Sequence, residues 1–90
     1  ELKPGDGYIT DSLAWVLYKK GKLNDALETI KEAVLLIPDD PIINEHVGDI
    51  SLAAGDKLKA LEFYEKAEKL DPDNVKLKEK AEKLRLEIRK

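Results

Sequence analysis

Apolar positions recur along this chain at the spacing of amphipathic helices. Ile9, Leu13, Val16 and Leu17 predict a first helix over about Tyr8–Lys20 with these four on its apolar side. Gly21 supplies the stop, because glycine takes the left-handed cap conformation at no steric cost. Asn24 reads as the cap of a second helix reaching about Ile37, which faces inward with Ala26, Leu27, Ile30, Ala33 and Val34 and is ended by Pro38. Asp40-Pro41 is a strong start signal, an oxygen cap followed by proline at the first helical position. It opens a third helix running to about Ala54; after Gly55 a fourth runs from near Leu58 to Leu70. Asp71-Pro72-Asp73-Asn74 repeats the turn, and Leu77, Ala81, Leu84 and Ile88 then form one apolar stripe on a final helix otherwise made of Lys, Arg and Glu. The pattern is all-α, with five helices.

The helices come in copies. Pro4, Pro38 and Pro72 stand 34 residues apart, and Gly21/Gly55, Ala26/Ala60, Ala33/Ala67 and Leu36/Leu70 keep the same register. A fixed period of this size marks a repeat architecture, in which each helix pair stacks on a copy of itself. The units read as 7–40 and 41–74, followed by a capping helix at 75–90. Residues 1–6 read as the tail of an earlier repeat, and the chain as a piece of a longer protein. Ala14 and Gly48, with Ala26, Ala33, Ala60 and Ala67, are small enough to let paired helices approach closely.

Thr10-x2-Leu13-Ala14-x2-Leu17, then Ala26-x3-Ile30, then Pro38, is matched by Asn44-x2-Val47-Gly48-x2-Ser51, Ala60-x3-Tyr64 and Pro72. This resembles the tetratricopeptide repeat (TPR) family, although Thr10 and Asn44 replace its usual tryptophan, and Leu17 and Ser51 its usual tyrosine. The resemblance implies a right-handed α-solenoid of antiparallel helix pairs. Its first helices (A helices) line a concave face that holds a partner peptide or protein segment.

Charge and composition narrow the function. Residues 1–74 carry 9 basic and 16 acidic side chains, a balance of −7, and residues 75–90 carry 7 and 3, a balance of +4. The absence of cysteine removes disulfide and thiolate-metal chemistry. No apolar run reaches the length of a membrane span. Richness in Lys and Glu with no Gln, Met or Cys fits a thermophile, and fits an ordinary charged TPR surface equally well. His46, the one histidine, has no second ligand or nucleophile organised around it, and there is no phosphate loop or nucleophile elbow. The sequence therefore gives no catalytic residue, metal site or cofactor site, and it reads as a non-enzyme. Lysines and glutamates alternate along the last helix (Lys78-Glu79-Lys80, Glu82-Lys83), the pattern of an exposed salt-bridged face, and no aromatic residues interleave for nucleic-acid stacking.

By the 34-residue register the resemblance places Tyr8, Asp11, Ser12, Trp15, Tyr18, Glu45, His46, Asp49 and Leu52 on the groove, with Asp11 beside Glu45, Ser12 beside His46, Trp15 beside Asp49 and Tyr18 beside Leu52. Trp15 has two readings, a groove anchor or a core residue. The groove is expected to be acidic with aromatic anchors and to favour a basic partner carrying an apolar anchor. A TPR subclass clamps C-terminal carboxylates with Lys, Arg and Asn; Asp11, Trp15, Glu45, His46 and Asp49 at those places exclude that specialisation. The alternative is self-assembly, with copies stacking end to end through the uncapped surface of the first helix, where Ile9 and Leu13 would otherwise meet a preceding repeat.

Overall fold

The computed structural model describes residues 4–89. Five α-helices follow one another: α1 (Pro4–Lys19), α2 (Leu23–Leu36), α3 (Pro41–Ala53), α4 (Lys57–Leu70) and α5 (Val75–Arg89). Helix α1 pairs chiefly with α2 and α3 with α4, while α2–α3 and α4–α5 packing joins the pairs into one array of 44 × 28 × 16 Å. Residues 1–3 of the expected leading tail lie outside the described residues. Pro4, Gly5 and Asp6 form the first turn of α1, which begins a full turn before the expected Tyr8.

Helix ends follow local chemistry. Gly21 and Gly55 take φ of 81° and 89°, and the turns around them close alike: Gly21 N–H donates to the Tyr18 carbonyl and Lys22 N–H to Leu17, while Gly55 N–H donates to Leu52 and Asp56 N–H to Ser51. Asp40 caps α3 through the Ile43 N–H at 3.0 Å, Asp56 caps α4 through Lys59 N–H at 3.0 Å, and the Asn74 side chain accepts from Leu77 N–H at 3.1 Å at the start of α5. The expected Asn24 cap is not formed. Helix α2 starts at Leu23 with Lys22 as its cap residue and no side-chain cap bond, so Asn24 falls inside the first turn and stays exposed.

Two apolar clusters hold the array together. The first joins Ala14, Ala26, Ile30 and Ala33 of the first helix pair to Ile43, Val47 and Ile50 of α3. The second joins Ala60, Tyr64 and Ala67 of α4 to Leu77, Ala81 and Leu84 of α5. Ile43/Val47/Ile50 and Leu77/Ala81/Leu84 are register mates, so the same three positions seat each new helix on the pair before it. Burying each large member stabilises the fold by about 1.5–3 kcal/mol.

The same triad on α1 is Ile9, Leu13 and Val16, and there it is largely exposed. These residues are 70%, 54% and 49% exposed, against 0%, 2% and 0% for Ile43, Val47 and Ile50. No described helix lies ahead of α1 to cover them. The inward side of α1 is formed by Gly7, Asp11 and Ala14, with Leu17 and Tyr18 packed against the first cluster.

Candidate functional site

Helices α1, α3 and α5 share one face, and polar side chains meet where each helix adjoins the next. Between α1 and α3, His46 Nδ1 lies 2.7 Å from Asp11 Oδ1, and the imidazole stacks on Trp15 with centroids 4.3 Å apart. A carboxylate only accepts, so the Nδ1 nitrogen carries the proton. Trp15 also packs on Tyr18, centroids 4.9 Å apart, and Lys19 Nζ sits 5.2 Å from its ring centre.

Between α3 and α5, Lys80 Nζ donates to Glu45 Oε2 at 2.6 Å and to Asp49 Oδ1 at 3.1 Å. Tyr64 of α4 donates its hydroxyl to the same Asp49 oxygen at 2.6 Å, and the Lys80 ammonium lies 5.7 Å from its ring. The two junctions are built alike. Lys80 is the register mate of His46, Glu45 of Asp11, and Asp49 of Trp15. In each, one side chain from the later helix settles between an i, i+4 pair on the earlier one, as ridges pack into grooves. The bridging contacts therefore span 35 residues, His46 to Asp11 and Lys80 to Glu45. The lateral pairing of Asp11 with Glu45 and Ser12 with His46 is replaced by this shifted pairing.

Of the nine residues expected on the groove, the structure gathers Asp11, Trp15, Tyr18 and His46 at one junction and Glu45 and Asp49 at the next. Leu52 lies beyond them on a cleft of about 270 Å³ that it shares with Asp49, Tyr64, Lys80, Lys83, Leu84 and Glu87. Tyr8 turns away, its hydroxyl 3.0 Å from Asp40 Oδ2, and Ser12 is exposed. Trp15 is partly buried and belongs to neither apolar cluster. Lys80 and Tyr64 are part of the site yet did not emerge from the sequence. For Lys80 the usable signal was its register with His46; Tyr64 is the mate of the core residue Ile30 and gave none.

Alternation on α5 suggested a solvated, self-paired face, but its ion pairs mostly reach other helices. Besides Lys80, Arg85 meets Glu65 and Glu68 of α4 at 3.1 Å each, with Glu82 at 2.9 Å as its intrahelical partner. Among the described residues no group of three or more His, Asp or Glu side chains is placed to hold a metal ion, and no helix is long and apolar enough to cross a membrane.

The junction shifts two titrations. Burial first, then the hydrogen bond and charge of Asp49, push the Tyr64 phenol above its ordinary 10.0. Burial pulls Lys80 down, but the hydrogen bonds of Glu45 and Asp49 outweigh it and hold the ammonium above its ordinary 10.5. Both groups have folded values above their unfolded ones. Their contribution is thus complete below about pH 10 and is lost as pH rises beyond it. Chemical denaturation is expected to give constant stability from neutral pH to about 10 and a decline above. The decline should be shallower in Tyr64→Phe, and a wild-type decline of unchanged slope in that variant would remove Tyr64 as its source.

The sequence profile of the tetratricopeptide repeat matches residues 12–40 and 43–74. The chain belongs to the tetratricopeptide repeat family. Over 94 aligned positions it is 36% identical to protein O-mannosyl-transferase TMTC1 of Mus musculus, covering 99% of this chain and 10% of that protein. It is 37% identical over 49 residues to the TPR repeat-containing protein PA4667 of Pseudomonas aeruginosa, covering 54% of this chain and 8% of that one. The chain thus spans about a tenth of the length of these relatives.

Among solved TPR-like folds, the Yersinia enterocolitica type III secretion translocator chaperone SycD superposes with a TM-score of 0.85 at 22% identity, over 97% of this chain and 60% of that one. SycD in complex with a peptide of the translocator YopD gives 0.81 over 89% of this chain and 61% of that one, at 22% identity. The first TPR of Spaghetti (RPAP3), bound to the HSP90 peptide SRMEEVD, gives 0.58 over 99% and 98% of the two chains at 10% identity. In TPR terms α1 and α3 are the A helices and α2 and α4 the B helices.

Proposed function

We propose that this chain is a protein-interaction scaffold that holds a partner segment against the face made by α1, α3 and α5. Two structures of similar fold contain bound peptides, SycD with a YopD peptide and RPAP3 with an HSP90 peptide, which supports a peptide-binding reading over a catalytic one. The observation that carries the reading is Trp15. It is a large aromatic outside the core, held by the His46 stack and Tyr18 at the head of a polar face. A rigid, partly buried aromatic of this kind is the usual energetic anchor of an interface.

The partner we infer is a basic segment with an apolar or aromatic side chain. In-chain cations already occupy this face: Lys19 lies over Trp15, and Lys80 is held by Glu45 and Asp49. A partner's lysine or arginine therefore competes with Lys80 for the carboxylates, and the net gain per exposed ion pair stays at about 0–1 kcal/mol. The apolar anchor supplies most of the affinity.

Trp15 is the only tryptophan, so its emission reports the site directly. A lysine-rich peptide with one central leucine is expected to shift that emission saturably, and its glutamate counterpart to leave it unchanged. In calorimetry Trp15→Ala should weaken the lysine-rich peptide by more than about 1 kcal/mol with unaltered circular dichroism. Equal binding of both peptides sinks the charge preference; unfolding of Trp15→Ala returns that side chain to a structural role.

A further inference from the structure

We infer that His46 is a proton-operated switch on the groove face. Uncharged, it leaves the corner of Asp11 and Trp15 open to a basic partner; with a second proton it becomes a built-in cation that turns such a partner away. This rests on the groove reading and adds its control.

Geometry fixes the uncharged state. The Nδ1 proton points at Asp11 Oδ1 across 2.7 Å, and the ring lies on Trp15 with the two planes 26° apart. Nε2 is then the lone-pair nitrogen. Among the described residues it has no hydrogen-bond partner, yet it is not a buried atom, and the side chain keeps 22% of its surface exposed. A second proton therefore enters from solvent without any helix moving.

Histidine is the side chain that gains charge between about pH 5 and 8, and with one histidine and no cysteine this chain has a single side chain of that kind. Its charged neighbours on α1 are Asp11 and Lys19, whose ammonium lies 5.2 Å from the Trp15 ring centre. On its own helix Glu45 and Asp49 are both engaged by Lys80 of α5, and Tyr64 of α4 donates to Asp49. Helix α2 meets α3 through the apolar Ala26, Ile30 and Ala33. Asp11 is thus the one carboxylate of this cluster without a permanent cation, and it faces His46 alone.

The next junction displays the charged state. Lys80, the register mate of His46, is a permanent cation, and Glu45 and Asp49 hold it. Doubly protonated His46 reproduces that arrangement one repeat earlier, pairing with Asp11 through a charge-assisted hydrogen bond. Two attractions for a partner's lysine or arginine then vanish together, the uncompensated charge of Asp11 and the Nε2 lone pair. A positive charge is added in their place.

Two measurements on the full chain test the switch. A protonated imidazole against an indole quenches its emission, so Trp15 emission should fall in one step between about pH 8 and 5, with circular dichroism unchanged. In calorimetry the lysine-rich peptide with a central leucine should bind at least about threefold more weakly near pH 5.5 than near pH 7.5, the scale of one exposed charge pair. The peptide's own lysines keep their charge throughout this range. His46→Gln should abolish both pH dependences, and His46→Lys should bind weakly at either pH, with circular dichroism again unchanged. Flat emission, equal affinity at the two pH values, a pH dependence that survives in His46→Gln, or a His46→Lys variant that binds like the parent at neutral pH overturns the switch. Absence of peptide binding at both pH values instead sinks the groove reading, which the emission titration does not depend on.

Discussion

A chain ending at Asn74 is expected to lose cooperative unfolding altogether. Without α5, the α4 surface of Ala60, Tyr64 and Ala67 faces water, and Leu77, Ala81 and Leu84 no longer cover it. The two leucines alone represent about 3–6 kcal/mol of burial, against about 5–15 kcal/mol of total stability for a small domain. Lys80 leaves as well. Glu45 and Asp49 then face each other one helical turn apart without a cation, and the Arg85 pairs with Glu65 and Glu68 vanish. Thermal melting of residues 1–74 followed by circular dichroism should show a broad, early transition. A truncated chain that melts as sharply and as hot as the full one would falsify the capping role of α5.

Gly48→Ala is the most disruptive single methyl group expected in the molecule. A Cβ at Gly48 would run into the Tyr64 ring, a face whose hydroxyl is tied to Asp49 and which cannot simply swing aside. Overpacking of this kind costs about 1–3 kcal/mol. The first helix pair shows the remedy, since the mates of Gly48 and Tyr64 are Ala14 and Ile30, both fully buried. Small opposite large has been rebalanced there as medium opposite medium. Combining Gly48→Ala with Tyr64→Ile should therefore cost less than the sum of the two single changes, with a coupling of about 1 kcal/mol or more in urea denaturation. Strict additivity would mean that the two positions do not share the space.

What was legible in the sequence, and what was not, divides along physical lines. Glycine and proline punctuation located the turns, because Gly21 and Gly55 need φ values that other residues avoid and Pro41 suits only a first helical turn. The α5 stripe was legible because Leu77, Ala81, Leu84 and Ile88 keep helical spacing in an otherwise charged helix. Asn24 misled because an asparagine two residues after a turn signals a cap whether or not the helix has already begun. For Ile9 and Leu13 periodicity says only which side of the helix is apolar; it was the 34-residue register that marked that side as uncovered. The polar contacts between helices did not follow the expected lateral register: His46 meets Asp11 and Lys80 meets Glu45. Strict 34-residue neighbours ignore that a side chain drops between two positions on the adjacent helix, and that offset brought Lys80 and Tyr64 into a site assigned to α1 and α3 alone.

The paired junctions carry a consequence for how such a protein changes over time. His46 and Lys80 occupy equivalent bridging positions with different chemistry, one stacked on an indole and one clamped by two carboxylates, while the alanines and triads beneath them stay alike. The letters that fold the chain and the letters that colour its surface are therefore nearly disjoint sets. The fold agrees with SycD at a TM-score of 0.85 despite 22% identity, so it does not depend on most of the side chains. A chain built this way can exchange single bridging side chains with no new architecture required.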